Sequence, residues 1–242
     1  MNRWQYDEFT HCGVDYSKTA QSERYDGRHQ RFRDYEKEFN SMMDFLAISD
    51  TKDKVVIDLG CGTGATAVFA ARLFKAVYAV DVSDAMIKEA SKKLDDDVRN
   101  VRFINAGFLS YKHDGAPADL VITKAALHHL PDFWKQIALL RMNKMLKKEG
   151  TLYLHDVIFQ FDPRRYAEEI DAWITGFAEV AGEAFRAEVE AHIRDEFSTF
   201  GWIMNGMIER AGFVVEKVRS DDQFMAEYAC RKIADLDIEE NL

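Results

Sequence analysis

Residues 55–65 read VVIDLGCGTGA, a short apolar run that ends on Asp58-Leu59 and passes straight into glycines at 60, 62 and 64. Such a run predicts a buried strand that breaks into a tight turn and a following helix. Gly60, Gly62 and Ala65 fit the G-x-G-x-x-G/A fingerprint of a dinucleotide site. Gly60, Gly62 and Gly64 fit G-x-G-x-G equally well, which points to a different nucleoside ligand. The glycines leave both readings open, because both need a backbone that turns sharply and admits a ligand closely.

Outward from this turn the chain alternates. Strands are expected at 55–59, 77–81, 101–105, 119–123 and 151–157. Helices are expected at 64–74, 84–94 and 132–147, with a short piece near 107–111. This order predicts a parallel sheet covered on both faces. Upstream, Tyr25, Phe32, Tyr35, Phe39, Met42, Met43 and Leu46 recur at helical spacing and predict an amphipathic helix over 23–48. Residues 1–21 show no period and read as a mobile arm. Downstream, 162–197 reads as two Ala- and Glu-rich helices interrupted near Ala181-Gly182, and a helix at 199–211 ends on Ala211-Gly212. FVVEKVRS and FMAEYACRK then form two β-like segments separated by DDQ.

The expected architecture is one doubly wound α/β domain. An arm and lid helix occupy 1–49, a cofactor-binding half 50–161, an inserted helical cap 162–198, and a final helix and β-hairpin 199–242. The sheet is expected to be seven-stranded, mostly parallel and Rossmann-like, with an antiparallel final strand.

Composition narrows the partners. The formal net charge of -10 argues against a nucleic-acid backbone, which is held by clustered Lys and Arg. Arg28, Arg31 and Arg33 are flanked by Asp26, Asp34 and Glu36 and read as a solvated helix face. Cys12, Cys61 and Cys230 make an odd count without zinc spacing, which predicts a reducing compartment and no disulfide framework. The first residues, MNRWQYDEFTHCG, hold no apolar signal core, and no uncharged run reaches the roughly 18 residues of a membrane span. A cytoplasmic monomer or homodimer is expected, acting on a small molecule, with no nucleic-acid or membrane partner.

Asp58 bears on the ligand. It ends the first strand, two residues before Gly60. A dinucleotide would bring a pyrophosphate there, which a fixed carboxylate repels. S-adenosylmethionine brings an ammonium and a sulfonium, for which the same carboxylate is a partner. Asp81 ends the second strand and is placed to accept hydrogen bonds from ribose hydroxyls, a role common to both ligands. Val82 and Met86 are candidates to flank an adenine.

VIDLGCGTG, YAVDVSDAMIKEA, DLVITKAALHHLPD and LKKEGTLYLHDVIF together resemble the class I S-adenosylmethionine-dependent methyltransferases, most closely their small-molecule branch. The resemblance spans roughly residues 50–160. It implies that Asp58, Gly60, Cys61, Gly62 and Gly64 hold the methionyl part and Asp81 the ribose, and that the backbone at Lys124 passes the sulfonium. It also implies that an aromatic segment near Tyr16, Tyr25 and His29 covers the methionyl end, with Tyr25 the preferred contact. One departure stands out. Where the family often carries an Asp that meets the adenine amino group, this chain has NAGFL, so Gly107 and Phe108 are left to offer backbone groups and stacking.

Methyl transfer from a sulfonium is an in-line displacement, and a general base is needed only when the acceptor must lose a proton first. The candidates to act on the acceptor are His128, His155 and Tyr25. His155 and Asp156 fall on opposite faces of their strand, so one of the two at most points at substrate. No pair among His29, His128, His129, His155 and Asp156 has helical ligand spacing, and no metal is expected. The cap aromatics Trp173 and Phe177, with Trp202, suggest a partly apolar acceptor. Two rival readings remain at this level: an NAD-dependent oxidoreductase, for which Asp58 is a liability, and an S-adenosylmethionine-binding sensor or partner subunit without turnover.

Overall fold

The structure, a computed structural model, describes residues 4–10, 12–13, 26–27, 33–95, 97–220, 222–236 and 238. Strand β1 (Val55–Leu59) is buried at every position. The reason is its place in the sheet: β2 (Ala76–Asp81) and β4 (Ala118–Lys124) both pair with it in parallel, one on each side. With β3 (Val101–Asn105), β5 (Leu146–Phe159), β7 (Phe213–Arg219) and β8 (Met225–Lys232), the order is β3-β2-β1-β4-β5-β8-β7. Strand β8 runs antiparallel to both β5 and β7. A two-residue strand, β6 (Thr199–Phe200), pairs with the end of β5 off this path. The order reverses between β1 and β4, and a crevice opens beyond the carboxyl ends of strands at such a switch point.

Helices cover both faces. On one, Phe39 and Met42 of α1 (Tyr35–Leu46) pack with Ala67 and Ala70 of α2 (Ala65–Ala70) over Val56, Val77 and Ile122. On the other, Leu139 and Met142 of α4 (Asp132–Met145) and Met204 and Ile208 of α7 (Gly201–Arg210) pack over Ile57, Val121 and Leu152. Helix α3 (Asp84–Ser91) starts on Ser83, whose side chain accepts from Met86 N–H. Asp34 caps α1 in the same way through Lys37 N–H. The cap region contains α5 (Tyr166–Ala181) and α6 (Arg186–Asp195), broken at Gly182 as its composition predicts. Among the described residues no helix is long and apolar enough to cross a membrane.

Three expectations change. The helix predicted over 23–48 is capped by Asp34 and begins at Tyr35; most of 14–32 lies outside the described residues. The piece near 107–111 is a turn closed by Tyr111 N–H to the Gly107 carbonyl at 3.0 Å, not a helix. Strand β5 is twice as long as the expected 151–157, because it begins at Leu146 and slips register against β4 between Ala118 and Leu120. The exposed Lys147, Lys148 and Glu149 bulge outward there, with Glu149 at φ 61°, so the strand's start reads as a turn in sequence. The arm is docked where it is described: Trp4 stacks on Trp134 at 6.2 Å and the Tyr6 hydroxyl donates to the His129 carbonyl at 3.1 Å.

Asn143 fastens the far edge. Its buried Nδ2 donates to the carbonyls of Ala211 at 2.9 Å and Ala234 at 3.0 Å, tying α4 to the end of α7 and to the segment after β8. Ala211 is buried and Ala234 is open to water. Asn143→Ala should therefore cost about 1–3 kcal/mol, the penalty for one stranded buried carbonyl, in denaturant unfolding monitored by circular dichroism.

Candidate functional site

The chain leaves β1 through three glycines with left-handed φ of 76°, 54° and 73° at 60, 62 and 64. The amides of Gly60 and Cys61 both donate to the Val80 carbonyl of β2, at 2.8 and 3.0 Å, which folds the loop back over the strand ends. A Cβ at Gly60 would fall 2.3 Å from the Ala126 Cβ, and one at Gly64 would fall 2.7 Å from the Ala90 Cβ. A Cβ at Gly62 would meet no described residue within 4 Å. Gly62 faces the pocket, and the other two glycines are fixed by the protein's own packing. Asp81 holds the loop in place: one carboxylate oxygen accepts from Gly62 N–H and the other from Ser83 N–H, both at 2.8 Å.

Asp58 lines the same pocket and is 2 % exposed. Its Oδ2 has no hydrogen-bond partner among the described residues. Burial, with the nearby Asp81 charge adding to it, pushes its pKa up to about 7, while the Lys124 charge pulls the other way. Lys124 ends β4, and its ammonium pairs with Glu38 of α1, which Arg33 also grips at 2.7 Å. Burial opposes the Glu38 charge, but Arg33 and Lys124 outweigh it and hold the acid at about 2. The lysine is thus committed to α1. A buried carboxylate oxygen without a partner, facing a cavity, fits a cationic or donor group brought by a ligand.

The opposite wall is the turn after β3. Its Leu109 and Ser110 amides donate to the Glu8 carboxylate at 2.9 and 2.7 Å. Arg141 of α4 donates to the carbonyls of Phe108 at 3.1 Å and Tyr111 at 2.7 Å. A Cβ at Gly107 would lie 2.3 Å from Glu8 Oε2. The arm's acid occupies the space that a side chain at 107 would take.

Every cofactor contact expected from the sequence lines this pocket except Gly64 and Tyr25. Gly64 packs on Ala90, and Tyr25, like Tyr16 and His29, lies outside the described residues. Of the residues expected to act on an acceptor, neither His128 nor His155 lines the pocket; His129 does. His128 is buried behind it, with Nδ1 2.5 Å from Asp156 Oδ1 and its backbone N–H on Asp156 Oδ2 at 3.0 Å. His155 is flanked in the sheet by Lys124 and Glu227, and its buried Nδ1 has no partner among the described residues. The cap aromatic Trp173 stacks on Phe224 at 5.0 Å, and Phe177 packs on Phe185, so neither reaches the pocket.

Glu8, Thr10 and Cys12 of the arm, and Arg33 and Glu38, line the pocket although none was expected there; Arg33, read in sequence as part of a solvated helix face, instead pairs with Glu38. Glu38 left a signal, since it stands on the apolar stripe between Tyr35 and Met42. The arm residues left none.

Residues 56–150 match the family model described as a methyltransferase domain. Over 184 residues the chain is 27% identical to an uncharacterized methyltransferase of Geobacillus sp. (strain WCH70), covering 75% of this chain and 80% of that one. Among solved structures, the magnesium protoporphyrin IX methyltransferase of Synechocystis PCC 6803, with bound SAM, superposes with a TM-score of 0.57 at 16% identity, covering 93% of this chain and 88% of its own. The cyclopropane synthase MmaA2 from Mycobacterium tuberculosis superposes with a TM-score of 0.61 at 14% identity, covering 94% of each chain. These two likenesses concern the fold. With the glycine loop and the Asp58 oxygen that has no partner among the described residues, the matching methyltransferase domain makes the chain an S-adenosylmethionine-dependent methyltransferase, with S-adenosylmethionine as its cofactor.

Proposed function

We propose that this methyltransferase acts on a small-molecule acceptor held between the glycine loop and the N-terminal arm. The observation that carries the reading is the unpartnered Asp58 oxygen in a pocket whose far side is walled by Thr10 and Cys12 of the chain's own arm. A site closed by its own arm suits a metabolite-sized acceptor better than a polymer, and the net charge of -10 disfavours nucleic acid. When bound, S-adenosylmethionine supplies an activated methyl group on a cationic sulfur. Asp58 is proposed to pair with the ammonium of its amino-acid end. Asp81 lines the pocket at the end of β2, and its carboxylate is proposed to accept from the ribose hydroxyls. Gly62 admits the ligand backbone-close, and Val82, Met86 and Phe108 offer apolar contact to the base. Arm and α1 exclude water, so that positioning and desolvation supply much of the rate.

Supplying labelled S-adenosylmethionine with a metabolite extract tests the acceptor class. Label should appear in a metabolite-sized product; label confined to protein or nucleic acid overturns the reading. Calorimetry should give micromolar binding, about -8 kcal/mol, for the cofactor and its demethylated product. Asp81→Ala should weaken this by about tenfold to a hundredfold, the value of a charge-assisted hydrogen bond of roughly 1.5–3 kcal/mol, with the circular dichroism spectrum unchanged.

Asp58 gives a second test, in which stability and binding move in opposite directions. An acid whose pKa is higher folded than unfolded favours the fold only while protonated. Its contribution is full below the ordinary 3.8, falls as pH rises, and is gone above about 7. Asp58→Asn should therefore stabilise the ligand-free protein at pH 8, by about 2–4 kcal/mol at roughly 1.4 kcal/mol per pKa unit, and leave it little changed at pH 4. Cofactor affinity of the wild type should rise with pH through about 7 and then level, since the carboxylate is the form that meets a cation. Asp58→Asn should abolish that rise. Melting curves and titrations across pH check both.

A further inference from the structure

Beside the pocket lies a second cluster that methyl transfer does not require. The turn Leu127–His129 brings His128 and His129 against Glu196, the residue that follows α6. The two segments are tied by Phe197 N–H to the His128 carbonyl at 2.8 Å. The ligand atoms of His128, His129 and Glu196 all lie within 4.8 Å of one another. His128 Nε2 is 3.3 Å from Glu196 Oε2. Cys12 of the arm places its sulfur 3.6 Å from His129 Nδ1. Tetrahedral bonds of about 2.0–2.1 Å to nitrogen or oxygen and about 2.3 Å to sulfur set ligand edges of about 3.4 Å and about 3.5 Å. The His128–Glu196 and Cys12–His129 separations are close to those lengths.

We propose that His128, His129 and Glu196, joined by Cys12 from the arm, form a binding site for a divalent transition-metal ion of the zinc class. The surrounding contacts are those a metal site needs. Asp156 takes the Nδ1 side of His128 at 2.5 Å, which turns Nε2 toward Glu196. His192 bonds Glu196 through Nδ1 and Ser198 Oγ through Nε2 at 2.7 Å, and so fixes the carboxylate. The Glu196 side chain is only 4 % exposed, and its ion-pair partners among the described residues are His128 and His192, with no Lys or Arg. Gly13, at φ 68°, passes so close that a Cβ would fall 1.9 Å from Glu196 Oε1, so the arm can close over the acid only as glycine.

Three imidazoles crowd around this one carboxylate. The His128 ring centre is 4.4 Å from that of His129 and 4.7 Å from that of His192, and cations at that spacing repel. Two imidazoles, a carboxylate and a thiol select zinc-class ions over Mg2+ and Ca2+, which prefer oxygen. Since Cys12 and His129 also line the cofactor pocket, the ion stands beside the acceptor space, where it lowers the pKa of a hydroxyl or thiol placed on it. That last consequence rests on the proposed acceptor; the metal site does not.

The full-length protein, stripped with a chelator and desalted, is titrated with Zn2+ by calorimetry, and retained metal is counted by plasma mass spectrometry after gel filtration. One ion per chain is expected, with Mg2+ giving none. Glu196→Gln and His129→Gln should each weaken binding at least tenfold, and Asp156→Asn by about tenfold to a hundredfold. Co2+ substitution should give the visible bands of a four-coordinate site, with a thiolate charge-transfer band that Cys12→Ser removes. Circular dichroism confirms that each variant is folded, and Cys12→Ser, on the arm, spares the core. A folded wild type that retains no Zn2+, or retention unchanged by both Glu196→Gln and His129→Gln, overturns the proposal. Neither readout depends on methyl transfer, so failure here and failure of the acceptor assignment are separable.

Discussion

The turn after Leu59 has room for backbone and almost nothing else. Ala126 blocks it from the β4 side and Ala90 from the α3 side, at 2.3 and 2.7 Å from where a Cβ would stand. With β1 buried between two parallel neighbours, the chain must reverse within this gap to start α2. The left-handed glycines are the solution, and the pocket follows from it: Gly60 and Gly62 line it, and of the three glycines Gly62 is the one whose Cβ position meets no described residue. The dinucleotide and G-x-G-x-G readings of the sequence treat the glycines as equivalent. In the fold they differ: Gly60 and Gly64 are packed against Ala126 and Ala90, and Gly62 is not.

Charge completes what the turn begins. Two acids, Asp58 and Asp81, stand at neighbouring strand ends, and the cation nearest to offset them, Lys124, is drawn off by Glu38 of α1. Asp81 is satisfied by amides of the loop it braces, whereas Asp58 keeps an oxygen without a partner. The pocket therefore carries a local excess of negative charge in a dry place, which repels a pyrophosphate and welcomes a sulfonium and an ammonium. Helix α1 thus acts at a distance: by holding Lys124 it leaves the two acids less fully offset.

Much of this was legible in the chain. Strands β1, β2 and β4 announce themselves because each is a short, mostly apolar run, and Asp58 and Asp81 are conspicuous as the acids at or near the ends of β1 and β2. The start of β5 was hidden, since Lys147, Lys148 and Glu149 are exposed on a bulge and carry no strand period. The 107–111 turn passed for a helix because its order comes from Glu8 and Arg141, remote in sequence, and not from local spacing. The histidine cluster illustrates the same limit. Adjacent histidines have no ligand spacing of their own, and Glu196 joins them only because the break at Gly182 returns α6 toward the Leu127–His129 turn. The arm was the least readable part, as its partners, among them Trp134, His129 and the amides of Leu109 and Ser110, are all remote in sequence and impose no local period on it.

One carboxylate, that of Glu8, belongs at once to the arm and to the pocket wall. The amides of Leu109 and Ser110 have it as their acceptor, and the arm has them as its anchor. Arm docking and the shape of the 107–111 turn are therefore two descriptions of one equilibrium. By thermodynamic reciprocity, whatever steadies that turn from inside the pocket strengthens the arm's hold by the same factor, and whatever loosens the arm is repaid as weaker occupancy of the pocket. The N-terminal segment is in this sense a reporter of the cavity's contents, read out through a pair of hydrogen bonds.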